Sequence, residues 1–378
     1  MSLSYWEKNV WFNGLDLVVI GSGLVGLTTA LFYKRRTPGS KVLVVERGLL
    51  PYGASTRNAG FACYGSPSEL LDDLKQHTEN EILERVRQRY LGFEKLLGLL
   101  GAEKLGYQAT GGHELFRAED AEDRDASMEQ IHRLNELLDE VFPGTAFIHC
   151  KKDPNKKWGF KGFTDAIELP HEGQIDTGKC MQSLLQLCQA EGVLVLNNIE
   201  VRSVVDQGAK AELETNQGIF HARQVAICTN GFAQQLLKEE VVIPARAQVF
   251  ISEKISGLPF RGIFHVHKGY YYFRNVGDRL LMGGGRHLFR KEERSVEIQT
   301  TAKLQKHLQQ FAEGHILPDR EWIVEDSWAG IMGFGAHNEK GKLVKRIAPK
   351  VVCGVRLGGM GIAIGAHTGE QTAELLLG

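Results

Sequence analysis

At 378 residues the chain is long enough to bury more than one hydrophobic core, and a 43% hydrophobic content suits folded domains. The formal net charge is −1, 45 basic against 46 acidic residues, which excludes the positive surplus that binding to nucleic acid or an anionic membrane surface requires. No apolar run reaches the roughly 18 residues of a membrane span, and residues 1–14 hold no apolar leader core.

Six cysteines, Cys63, Cys150, Cys180, Cys188, Cys228 and Cys353, stand singly. None forms C-x-x-C and no His/Cys cluster has metal-ligand spacing, so reduced thiols, a cytoplasmic location and no bound metal are expected. In chain order, the aromatic segment from Tyr5-Trp6 to Phe12 should pack as a short cap. Leu17-Val18-Val19-Ile20 is a β-branched apolar run that stops at Gly21, and Gly21, Gly23 and Gly26 have the G-x-G-x-x-G spacing. A helix is predicted from Leu27 to Tyr33, ending before Pro38-Gly39. A second buried strand, Lys41 to Val45, finishes at Glu46.

Each part has a physical task. Gly21 permits the sharp turn, Gly23 lets backbone approach a pyrophosphate, and Gly26 lets helix and strand pack closely. The pyrophosphate would sit on the unpaired N–H groups of the helix N-terminus. Glu46 would accept from a ribose hydroxyl, and its charge would repel a 2′-phosphate. A dinucleotide is therefore expected.

After Glu46-Arg47 comes Gly53-Ala54-Ser55-Thr56-Arg57-Asn58-Ala59-Gly60, small and polar residues crowded around one arginine. Together with the fingerprint, this loop resembles the FAD-dependent amine and amino-acid oxidoreductases of the D-amino-acid oxidase, glycine oxidase and sarcosine oxidase family. The resemblance implies an α/β (α+β two-domain) fold: a Rossmann-like FAD-binding domain with a discontinuous substrate domain built on an antiparallel sheet. It also implies FAD, and it places Arg47, Ser55, Thr56, Arg57, Asn58 and Gly60 at the cofactor, with Arg57 a candidate catalytic residue.

Helical spacing then runs from Ser66 to Leu100 through Ile82, Val86, Leu91, Phe93, Leu96 and Leu97. A strand is predicted at Gly111 to Phe116 and a helix from Ala118 to Phe142. Glu172-Gly173-Gln174-Ile175-Asp176-Thr177 is similar to the family's turn before a helix, with Asp176 as its N-cap. The family's adenine contact would fall at Val201, and Gln224 to Gly231 resembles its second nucleotide signature, with Thr229 and Gly231 at the turn. Strands at Val249 to Glu253, Gly262 to Val266, Tyr270 to Arg274 and Arg279 to Met282 would floor the substrate pocket, followed by a helix from about Ser295 to Phe311. Counting back from Arg279-Leu280, Tyr271 takes the position of a substrate-facing tyrosine in glycine oxidase relatives. Trp328 to Met332 and the glycine-rich run through Gly359, Met360, Gly361 and Ile362 resemble the C-terminal flavin contacts. The expected division is 1–65, 170–243 and 328–378 for the FAD-binding domain, and 66–169 and 244–327 for the substrate domain.

Departures from the family narrow the chemistry. The carboxylate-binding arginine of the Trp-Ala-Gly-x-Arg segment is Met332 here, and a second one falls on Gly359, or on Arg356 with the gap placed differently. Arg286 and Arg274 are the replacement candidates. The lysine that promotes reaction with oxygen in sarcosine oxidase relatives is matched by Leu281, so the electron acceptor stays open. The position of a flavin-linking histidine holds Asn58, and no cysteine follows Trp328, so noncovalent FAD is expected. The resemblance implies C–N oxidation of an amine or amino-acid-like small molecule by hydride transfer to flavin N5. Tyr5-Trp6-Glu7 and the missing clamp are similar to the γ-glutamylputrescine oxidase-like branch. The alternatives are an α-amino-acid or hydroxy-acid oxidoreductase with a relocated clamp, and a flavin-binding protein without turnover of its own.

Overall fold

The computed structural model describes residues 3–336 and 341–378, and among them two eight-stranded sheets carry the fold. The first sheet has the order Leu343–Ala348, Val351–Val355, Gly218–Ile227, Leu15–Ile20, Val42–Val45, Leu194–Leu196, with Ala211–Thr215 attached to Gly218–Ile227 and Val201–Asp206 attached in turn to Ala211–Thr215. Its central strands pair in parallel, and only the Leu343–Ala348 edge and the attached strands are antiparallel. Such strands are covered on both faces, which is why they read as unbroken apolar runs and not as alternation. Leu17, Val19, Val42 and Val44 pack under the helices Leu24–Arg36, Thr177–Ala190 and Gly361–Leu377. Val18, Ile20, Leu43 and Val45 face the opposite cluster with Leu213, Phe220 and Leu237.

The second sheet has the order Val324–Phe334, Ile243–Ser252, Arg279–Gly284, Tyr271–Val276, Ile263–Val266, Gly112–Arg117, Phe163–Leu169, Ile148–His149. It is antiparallel with one exception, the parallel pair of Ile263–Val266 with Gly112–Arg117. Period-two alternation splits its residues. Leu115, Phe250, Phe264, Tyr271, Phe273, Leu280 and Met282 form an aromatic-rich core under the helix Ala302–Phe311. The other face turns toward the first sheet.

Several boundaries move. Residues 328–332 lie inside the strand Val324–Phe334, paired along its length with Ile243–Ser252, so the expected return to the first sheet at 328 comes only after Phe334. The helix expected from Ser295 starts at Ala302 because the preceding segment is tied elsewhere. Thr301 N donates to Gln248 Oε1 at 2.9 Å, and Glu293, 1% exposed, pairs with Arg246 at 2.7 Å. The N-terminal cap is partial: Phe12 stacks on Phe220 at 4.4 Å, while Tyr5 and Trp6 are exposed. Leu91 likewise faces solvent. No described helix is long and apolar enough to cross a membrane.

Candidate active site

A cavity of about 520 Å³ runs from the first turn of the dinucleotide fingerprint to the inner face of the second sheet. Its floor is the turn at Gly21, where φ is +101°. A Cβ on Gly26 would lie 1.9 Å from the Gly21 carbonyl oxygen, so only glycine lets the helix Leu24–Arg36 start this close to the strand before it. The helix N-cap, Gly23, brings no side chain, and Ser55 Oγ accepts from Leu24 N at 2.9 Å. The open N–H groups of that first turn face the cavity and suit a pyrophosphate. Thr229 Oγ1, buried and without a partner among the described residues, adds a polar atom to the same wall.

Glu46 is 7% exposed, and its carboxylate accepts from Ser22 N at 3.1 Å, Ser22 Oγ at 2.9 Å and Gly48 N at 2.9 Å. A carboxylate offers about four lone-pair sites, so one is left for a ribose hydroxyl. Gly21, Gly23, Arg47, Ser55, Arg57, Asn58, Val201, Thr229, Gly359, Met360, Gly361 and Ile362 also line the cavity. Arg47 stacks over Phe232 at 3.8 Å. The remaining cofactor candidates, Gly26, Thr56, Gly60 and Gly231, do not line it. Gly26, Gly60 and Gly231 are packing positions: a Cβ on Gly60 would meet the Ile175 carbonyl oxygen at 2.5 Å and one on Gly231 the Met332 carbonyl oxygen at 2.5 Å. Thr56 turns its hydroxyl to the Pro51 carbonyl at 2.6 Å.

The loop at 54–60 is braced by its own polar side chains. Asn58 Nδ2 donates to the carbonyls of Ala54 and Ser55 at 3.0 and 2.9 Å, and its Oδ1 accepts from Gly60 N at 2.8 Å. Arg57 donates to the Ala329 carbonyl at 3.1 Å and lies over the Tyr52 ring at 4.3 Å, while Trp328 Nε1 donates back to the Arg57 carbonyl at 3.1 Å. The arginine therefore clasps this loop to the second sheet.

Opposite that loop, one rung of the second sheet presents Glu114, His265, Tyr272, Gly283, Val249 and Trp328 across six strands. A Cβ on Gly283 would fall 2.5 Å from both the Tyr272 ring and Val249, so glycine makes the room in which the Tyr272 ring lies. Tyr272 lines the cavity, and burial pushes its phenol up to about 12, which keeps the hydroxyl neutral. Tyr271, expected to face substrate, points the other way: its hydroxyl is 2.8 Å from His307 Nε2 and its ring stacks on Phe311 at 4.4 Å. The one-residue correction follows from the pleat, which puts neighbours on opposite faces. The signal was available, since Tyr271 and Phe273 continue the apolar face and leave Tyr272 for the other.

Of the two replacement arginines, Arg286 reaches the cavity and Arg274 does not. Arg274 is 7% exposed beneath Gly60, and burial lowers its guanidinium to about 10. Arg286 lies over the Phe334 ring at 5.1 Å, with its pKa lowered first by burial and then by Arg290. It has no carboxylate partner within 4 Å among the described residues. Met332 and Gly359, where the family's clamp would stand, are neighbours at the same corner: a Cβ on Gly359 would be 4.0 Å from Met332 Sδ. Leu281, at the lysine position, is 4% exposed and does not line the cavity.

No local pattern marks a buried pair on the wall, His265 Nε2 at 2.8 Å from Glu172 Oε2, because its members stand 93 residues apart. Nor did any spacing announce His113, Cys150 and Glu168, whose donor atoms lie within 4.8 Å of one another against the expectation of no metal-type cluster. That trio sits on the far face of the sheet beside Trp158 and Phe264, away from the cavity.

A family model described as FAD dependent oxidoreductase matches residues 16–375. The chain belongs to this family. FAD is accordingly its cofactor, and the glycine turn, the open helix N-terminus and the backbone-lined cavity fit it. Among curated relatives of this FAD-dependent family, 4-methylaminobutanoate oxidase (formaldehyde-forming) of Paenarthrobacter nicotinovorans is 23% identical over 70% of this chain and 31% of its own length. The mitochondrial sarcosine dehydrogenase of Homo sapiens is 25% identical over 71% of this chain and 29% of its own. The chain thus spans about a third of those proteins' lengths. The crystal structure of glycine oxidase from Geobacillus kaustophilus superposes with a TM-score of 0.76 at 18% identity, covering 96% of this chain and 94% of that one, and shows the same fold.

Proposed function

We propose that this chain oxidises the C–N bond of an amine that also carries an acid group, with Arg286 holding that group. The supporting observation is Arg286 itself, a guanidinium on the cavity wall without a carboxylate partner among the described residues, beside the Met332–Gly359 corner. A planar guanidinium grips a carboxylate through two parallel hydrogen bonds and so fixes orientation as well as position. Bound FAD supplies the acceptor for the hydride leaving the carbon beside nitrogen. The protein's part is to bind, orient and keep water out: Phe61, Tyr272 and Phe334 provide apolar walls, and the uncapped N-terminus of the helix Gly361–Leu377 turns its positive end to the cavity. The acid-bearing amines named for the relatives, sarcosine and 4-methylaminobutanoate, are the first substrates to try.

The test is an anaerobic screen of the purified yellow protein, following loss of flavin absorbance. Bleaching by acid-bearing amines, with Arg286→Ala raising KM for them on the order of 10-fold or more, supports the reading. Bleaching only by amines without an acid group removes Arg286 as the clamp. Bleaching only by hydroxy acids moves the chemistry to C–O bonds. A flavin that no amine or acid bleaches points to binding without turnover.

A further inference from the structure

We propose that His265, held by Glu172, is the base that takes the proton from the substrate ammonium, so that the amine is neutral when its carbon is oxidised. This rests on the amine reading above and goes beyond it, since nothing in the family resemblance calls for a base.

The geometry fixes the tautomer. Glu172 Oε1 accepts from Tyr64 N at 3.0 Å and its Oε2 lies 2.8 Å from His265 Nε2. An ionised carboxylate only accepts, so Nε2 carries the proton in the neutral ring and Nδ1 is left with a lone pair. His265 lines the cavity next to Tyr272 on the same rung, and its ring meets Phe61 edge-on at 5.4 Å. Nδ1 has no hydrogen-bond partner among the described residues, and the imidazole is otherwise walled in, 8% exposed overall. With Nε2 turned to Glu172, Nδ1 is the ring nitrogen left for the cavity that His265 lines.

The groups around the ring favour a proton on it. Glu172 comes from the turn before Gly173–Gln174, Glu114 from the neighbouring strand and Glu69 from the helix Pro67–Leu74, and all three raise the imidazole pKa against the opposing effect of burial. Nearby, Arg89 is already engaged by Glu69 and the Tyr64 carbonyl, and Tyr272 and Cys63 are held neutral by burial. Glu114 is buried, which raises its carboxyl pKa, and the hydrogen bonds it accepts from Ser66 Oγ at 2.7 Å and from the Ser68 hydroxyl partly offset that burial. The step balances: an ammonium N–H bond breaks, an Nδ1–H bond forms, the imidazolium is paired by Glu172, and the nitrogen lone pair freed on the substrate assists hydride departure from the adjacent carbon. No oxidant is consumed in the transfer itself.

Two measurements on the FAD-loaded protein test this. The first needs no substrate: NMR of the imidazole nitrogens in histidine-labelled holoenzyme, with His265→Asn identifying the resonance among 13 histidines. The expected result is a neutral form protonated at Nε2, titrating above pH 6.5, with that pKa falling in Glu172→Gln. A ring protonated at Nδ1, or one indifferent to Glu172→Gln, overturns the proposal. The second is the rate of anaerobic flavin reduction by sarcosine or 4-methylaminobutanoate against pH. His265→Asn should cost on the order of 10² at pH 7 and recover toward native at pH 10, where the free amine is abundant. A pH-independent loss, or none, overturns the proposal while leaving the amine reading intact. Native enzyme that neither compound bleaches counts against the amine reading, and the NMR result then decides His265 alone.

Discussion

The rung that carries Tyr272 makes a prediction in which two adjacent tyrosines behave oppositely. Tyr272→Phe removes a neutral hydroxyl from the cavity wall beside Arg286, whose charge acts on that phenol. If the hydroxyl shares the substrate's acid group with Arg286, its loss costs about 1.5–3 kcal/mol, the range for hydrogen bonds to charged groups. At 1.4 kcal/mol per tenfold, KM rises roughly 10- to 100-fold, with the melting temperature nearly unchanged because no internal hydrogen bond is broken. Tyr271→Phe instead removes the 2.8 Å contact to His307 on the far face. That neutral bond is worth about 0.5–1.5 kcal/mol, so the variant should melt a few degrees lower and keep the native KM. The assay is steady-state turnover of the bleaching substrate beside thermal unfolding followed by flavin fluorescence. A Tyr271→Phe variant with raised KM, or a Tyr272→Phe variant with lowered stability and native KM, refutes the assignment of faces.

Two further outcomes follow from packing and burial. Gly26→Ala places a methyl 1.9 Å from the Gly21 carbonyl, which must displace the turn, so the protein should purify without flavin and fail to take up added FAD; a yellow Gly26→Ala protein contradicts the cradle. Burial holds His113 down to about 3, with Lys157 adding to the shift. The unfolded imidazole takes its proton near pH 6.5 and the folded one only near pH 3, so stability falls as the pH drops through that window. His113→Phe, which keeps the ring between Trp158 and Phe264, should flatten the acid side of a urea-midpoint-against-pH curve, and an unchanged curve removes the attribution.

What could be read from the residues divides along a physical line. The fingerprint was legible because local backbone geometry dictates it: the turn at Gly21 and the close approach at Gly26 need particular residues at fixed spacing, and the strands on either side are buried on both faces. Asp176 as an N-cap was legible for the same reason, and its side chain accepts from Lys179 N at 2.9 Å. The substrate wall was much less so. Tyr272 was missed by one residue although alternation marked it, because the count was carried over from relatives whose hairpin need not have the same length. His265 and Glu172 carry no local pattern at all; they meet only because one strand of the second sheet lies over the turn that precedes Gly173–Gln174.

The proposed clamp, Arg286, would be another case of such distant placement. With Met332 and Gly359 at the two expected arginine positions, the sequence offered Arg286 and Arg274 as replacements with nothing local to choose between them. Folding brings Arg286 to that region from a different strand end, across Phe334, which sits two residues beyond Met332 on the same face of its strand. Gly285, with φ +71°, starts the short turn that carries Arg286 off the end of the strand Arg279–Gly284. If Arg286 is the clamp proposed above, it sets the number of atoms between acid and amine in the preferred substrate, and a chain-length series of N-methylated ω-amino acids measures it. A sharp optimum that disappears in Arg286→Ala is the expected result, and an optimum that survives the substitution places the selecting group elsewhere.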